Sequence, residues 1–105
     1  MAKPLDREPN MALYEHILQL KNLDECYRFF QDLCSVTELR SLEQRFHVAL
    51  LLNDGKVYTD IMNKTGASTA TISRVNRTLH YGHNGFLDVL SRSHPEETSN
   101  DKEEL

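Results

Sequence analysis

Apolar residues in this chain recur every three or four positions and nowhere in the strict alternation of a half-buried strand, so the pattern predicts helices almost throughout. After a polar arm containing Pro4 and Pro9, Asn10 is placed to cap a first helix bearing Leu13, Tyr14, Ile17, Leu18 and Leu20. A second helix begins near Asn22 or Asp24 and carries Leu23, Tyr27, Phe29, Phe30 and Leu33. Thr37 is the expected N-cap of a third, with a stripe of Leu39, Leu42, Phe46, Ala49 and Leu50. Asp54-Gly55 is a stop and turn signal. A fourth and a fifth helix follow, the fifth ending at Tyr81-Gly82. Asn84-Gly85 then leads into a short sixth with Phe86, Leu87, Val89 and Leu90. The expected organisation is one helical domain over residues 1–92 and an acidic, disordered tail over residues 93–105.

The end of the third helix is apolar on nearly every side. Phe46, Val48, Ala49, Leu50, Leu51 and Leu52 are interrupted only by His47. Such a helix needs neighbours all round, yet a chain of 105 residues supplies only a modest core. The first two helices add more apolar residues than one face of each can hide. The surplus implies that a second subunit covers it.

Between the fourth and fifth helices lies Lys64-Thr65-Gly66-Ala67-Ser68-Thr69-Ala70-Thr71-Ile72-Ser73-Arg74. Gly66 can take a positive φ and end one helix abruptly. Ser68 stands where the N-cap of the next belongs. Ile72, Val75 and Leu79 recur at helical spacing and would hold that helix to the body, leaving Thr69, Ala70, Thr71, Ser73, Arg74 and Arg77 to project elsewhere. This is the helix-turn-helix arrangement, over about residues 58–80, whose second helix enters the major groove of DNA. The side chains suit that task. Hydroxyls of Ser68, Thr69, Thr71 and Ser73 donate and accept, Ala70 and the threonine methyls can touch a thymine methyl, and Arg74 can bond a guanine edge. Lys56, Lys64 and Arg77 are candidates for phosphate contacts. A solvated polar helix would serve equally as structure, but so many β-branched and hydroxylated residues make a poor helix by propensity.

The net charge of −4 argues at first against nucleic acid. Its distribution removes the objection. Residues 1–55 carry a net −3, residues 56–92 a net +3 and residues 93–105 a net −4, so positive charge gathers where the motif lies. Cys26 and Cys34, eight residues apart on one helix, stand about 12 Å apart, beyond the reach of a disulfide, and read as buried free thiols. No apolar run spans a membrane and no secretory core follows Met1, so the expected location is cytoplasmic. His47, His80 and His83 lack companion ligands at metal-binding spacing.

The span from Thr37 to about Tyr81 resembles the tryptophan repressor family. The resemblance rests on Thr37-Glu38-Leu39-Arg40-Ser41-Leu42, on Leu51-Leu52-Asn53-Asp54-Gly55 and, most specifically, on Gly66-Ala67-Ser68-Thr69-Ala70-Thr71-Ile72-Ser73-Arg74. With Val75-Asn76-Arg77-Thr78-Leu79-His80-Tyr81-Gly82 included, it resembles the Trp-repressor-related YerC/YecD group of Gram-positive bacteria still more closely. The resemblance implies an all-α, six-helix, intertwined homodimer and a transcriptional regulator that binds double-stranded operator DNA. It also places Arg74, Arg45 and Thr78 at positions that face a bound amino acid in the repressor, and an arginine pair suits a carboxylate. One departure points away from tryptophan: Val75 stands where the repressor has glycine beside the indole, and extra methyl groups would fill that space. A different small carboxylate, or no effector, fits better. Tyr58, Thr59 and Met62 also replace more polar residues of the repressor's fourth helix.

Three functions separate on this reading. The first is a dimeric regulator, the repressor of a palindromic operator in the family's manner. A protein-interaction module would take its place if no operator exists. An enzyme is the weakest, because the sequence offers no nucleophile–base set, paired carboxylates, phosphate loop or cofactor motif.

Overall fold

Side-chain caps set where four of the helices start. The computed structural model describes residues 8–92 and contains, among them, six helices and no strand. These are α1 (Met11–Ile17), α2 (Leu23–Leu33), α3 (Val36–Asn53), α4 (Tyr58–Thr65), α5 (Thr69–Tyr81) and α6, described over residues 85–92. Asn10 Oδ1 accepts from the Ala12 amide at 3.0 Å and opens α1. Asn22 Oδ1 accepts from the Glu25 amide at 2.8 Å, while the Glu25 carboxylate accepts from the Lys21 amide at 2.8 Å. The expected acidic tail, residues 93–105, lies outside the described residues.

Two boundaries differ from the sequence expectation. Ser35, not Thr37, opens α3: its hydroxyl accepts from the Glu38 amide at 3.1 Å, and the Glu38 carboxylate accepts from the Ser35 amide at 2.8 Å. A reciprocal box of this kind satisfies two amides at once and outcompetes a lone threonine two residues later. Helix α1 stops at Ile17, so Leu18 and Leu20 lie beyond it. The amides of Gln19 and Leu20 bond the carbonyls three residues back, at 3.0 and 3.1 Å, the tighter turn in which short helices end.

The chain groups into two compact units, one ending at Leu39 and the other beginning at Arg40. In the first, α1 and α2 contain no buried residue. Leu18 and Leu23 are 87% and 84% exposed, and Phe29 and Phe30 meet edge to face at 5.4 Å between ring centres. Both cysteines are free and only half-buried, Cys26 on α2 and Cys34 just after it.

The second unit has a defined core. Val48, Ala49 and Leu51 of α3 pack with Ile61 of α4, Ala67 of the turn, and Ile72 and Val75 of α5. Leu52, Tyr58 and Phe86 close its edge. On α3 the predicted stripe is therefore only partly buried: Leu39 and Ala49 are covered, joined by Val48 and Leu51. Leu42, Phe46 and Leu50, one turn apart along the helix, remain 41%, 40% and 37% exposed. A single chain covers one face of α3, and α4 and α5 occupy the face bearing Val48 and Leu51.

Candidate nucleic-acid interface

The turn between α4 and α5 is held at every residue. Gly66 adopts φ +75° and ends α4, its amide donating to the Met62 carbonyl at 2.9 Å. Nothing lies within 4 Å of where a Cβ would stand, so the backbone angle rather than crowding selects glycine here. Thr65 Oγ1 donates to the Ile61 carbonyl at 2.8 Å and accepts from the Ala67 amide at 3.1 Å. Gln44 Nε2, from α3, donates to the Thr65 carbonyl at 3.1 Å and ties the turn to the core helix. Ala67 is buried beneath it.

Ser68 starts α5. Its hydroxyl accepts from the Thr71 amide at 3.1 Å and donates to Thr71 Oγ1 at 3.2 Å. Both hydroxyls are thus engaged at the cap, and Thr71 is half-buried. Ser68→Ala is expected to lower folding stability by about 1 kcal/mol, the usual cost of removing such a cap, measured by denaturant unfolding. At the other end, a Cβ on Gly82 would come 2.5 Å from the Thr78 carbonyl oxygen, to which the Gly82 amide donates at 2.8 Å. Close approach, not positive φ, requires this glycine.

Burial of Ile72, Val75 and Leu79 fixes the rotation of α5. At about 100° per residue, the direction opposite that seam carries Ala70, Arg74, Arg77 and Tyr81, flanked by Thr69 and Ser73. All six are exposed. Lys56 and Lys64 are exposed as well, before and at the end of α4. Among the described residues, none of Lys56, Lys64, Arg74 and Arg77 pairs with a carboxylate; the ion pairs found there join Arg28 to Asp24 and Arg40 to Glu43. Residues 56–92 carry a net +3, and these four cations keep their charge free of described ion pairs, an arrangement that suits a polyanion.

The residues that the sequence assigned to an effector are less concentrated. Arg74 and Thr78 stand one turn apart on α5, where the Thr78 hydroxyl donates to the Arg74 carbonyl at 3.2 Å. Arg45 is exposed on α3 and makes no ion pair with Glu38 or Asp54. Val75 is 3% exposed, its methyl groups spent on the core. No group of three His, Cys, Asp or Glu side chains among the described residues is arranged to hold a metal ion. No helix of the described residues is long and apolar enough to cross a membrane. Gln44 and Thr65, which fix the turn, carry no sequence signal, because their partners are backbone groups set by the fold.

Residues 10–94 match the family model for the Trp repressor protein. The chain is 52% identical over 86 residues to the uncharacterized protein YerC of Bacillus subtilis strain 168, covering 82% of this chain and 83% of that one. Among solved structures, it superimposes on a TrpR-like protein from Eubacterium eligens with TM-score 0.74 and 56% identity, over 77% of this chain and 84% of the other. A candidate Trp repressor from Staphylococcus aureus gives TM-score 0.74 and 48% identity, over 77% and 81% of the two chains.

Proposed function

The chain belongs to the Trp repressor family and is a helix-turn-helix regulator; we propose that it represses transcription as a homodimer, by placing α5 of each subunit in the major groove of a palindromic operator. The observation that carries this reading is the exposed face of α5. It joins small groups that admit close approach, Thr69, Ala70 and Ser73, to two arginines without carboxylate partners among the described residues. Thymine methyls meet Ala70 and Thr69, guanine edges meet Arg74, and Arg77, Lys56 and Lys64 meet phosphates. Ser68 and Thr71 act chiefly by starting α5 in the right place.

The dimer is supported by what one chain leaves uncovered. Leu42, Phe46 and Leu50 form an exposed apolar line on α3, and α1 and α2 expose Met11, Tyr14, Leu23 and Leu33. Apolar surface of this kind marks an interface. Two-fold symmetry then presents two recognition helices to two half-sites.

Tryptophan is not the effector in this reading, because the resemblance has glycine beside the indole where this chain has the bulkier Val75. DNA binding then proceeds without it. Selection of bound duplexes from a random pool, with and without tryptophan, tests both parts. Enrichment of one palindrome under both conditions is expected. Enrichment of no sequence would leave the protein-interaction module as the better reading, and enrichment only with tryptophan would overturn the exclusion of tryptophan.

A further inference from the structure

Tyr81 is the one large hydrophobic residue on the recognition helix that is exposed. Its side chain is 85% exposed, and its phenol has no hydrogen-bond partner among the described residues. It lies one turn beyond Arg77 and two beyond Arg74, on the face opposite Ile72, Val75 and Leu79. Its ring stands 6.3 Å from that of His80, which is itself held by a 2.9 Å contact between its Nδ1 and the Asn76 carbonyl. Among the described residues, a ring this exposed contributes little to packing.

We infer that Tyr81 donates its phenolic hydrogen to a DNA phosphate at the wall of the groove that α5 enters, and so sets how deeply the helix is seated. This rests on the operator reading above. The dimensions separate a phosphate from a base as the partner. From Ala70 to Tyr81 the helix rises about 16 Å, whereas the major groove is about 12 Å wide. With Ala70 against base edges, Arg77 reaches the groove margin and Tyr81 passes beyond it, where sugars and phosphates lie. Arg74 and Arg77 on the same face, without carboxylate partners among the described residues, make the complementary surface a polyanion. A phenol adds a directional hydrogen bond there without adding charge, so it fixes register without strengthening attraction to every DNA.

The test compares Tyr81→Phe, Tyr81→Ala and Arg77→Ala in full-length protein, titrated against the duplex selected by the wild type and against single-base variants of it, over a range of salt. An exposed side chain leaves thermal unfolding unchanged, which is checked first. Tyr81→Phe is expected to weaken binding by at least about a hundredfold, by a similar factor on every variant, the scale of the two hydrogen bonds to charged groups that a two-fold complex would lose. Its salt dependence should equal that of the wild type, whereas Arg77→Ala should lower the slope by about one for each phosphate that the arginine no longer neutralises. Unchanged affinity in Tyr81→Phe would overturn the assignment, whether or not Tyr81→Ala binds weakly. Weakening confined to one base position would also overturn it. Failure of the wild type to select any duplex would instead remove the operator reading, a result distinct from either.

Discussion

Ile72→Ala is expected to destabilise the fold by about 2–5 kcal/mol, the range for truncating a fully buried isoleucine. Ile72 is wholly buried, within the cluster that joins α3, α4 and α5. The neighbours that would have to collapse into the cavity, Val48, Ala49 and Ile61, are fully buried on other helices and cannot follow the missing atoms without moving those helices. The consequence reaches function as well as stability, because this residue sets the rotation of α5 and hence which side chains face outward. Denaturant unfolding should show a lower midpoint, and DNA binding should fall even at concentrations where the variant remains folded. A variant as stable as the wild type would show that α5 is held by something other than this core.

Arg74→Ala is expected to reduce operator affinity by at least about thirtyfold. A bidentate arginine–guanine contact carries about 1–3 kcal/mol of discrimination, and a two-fold complex loses two of them. Arg74 is exposed and unpaired with any carboxylate among the described residues, so folding stability should be unchanged. The signature of a base contact is relaxed preference at one position of each half-site, read by titrating the variant against operator duplexes changed one base at a time. Uniform weakening across all of them would move Arg74 from the bases to the phosphates.

The helix-turn-helix was legible in the sequence because its signals are local. Gly66 announces a left-handed residue, Ser68 a cap, and Ile72, Val75 and Leu79 a helical seam, and each needs only neighbours within one or two turns. The structure places all of them as expected. Local signals also misled where two competed. Thr37 and Ser35 are both competent caps, and only the pairing of Ser35 with Glu38 decides between them. The identity of the buried residues on α3 was harder to read, since a helix apolar on several sides gives no direction. Which side is covered depends on where α4 and α5 pack. Gln44 was illegible for the same reason, since it bonds a carbonyl 21 residues away, whereas Gly82 was legible as the end of α5 but not for its cause, the backbone oxygen of Thr78. Tyr81 lies within the recognition helix that the sequence predicts, but its exposure follows only once the seam of α5 is fixed.

In the proposed reading, the apolar line of Leu42, Phe46 and Leu50 and the basic face of α5 answer to one requirement, that two copies of this chain address one duplex together. The most direct measurement is the affinity of the wild type for its selected palindrome, compared with the same duplex carrying about five extra base pairs between the half-sites, half a helical turn that moves the second half-site to the opposite side of the DNA. Affinity is expected to fall to that of a single half-site. Equal affinity for the two duplexes would contradict a two-fold dimer reading both halves at once.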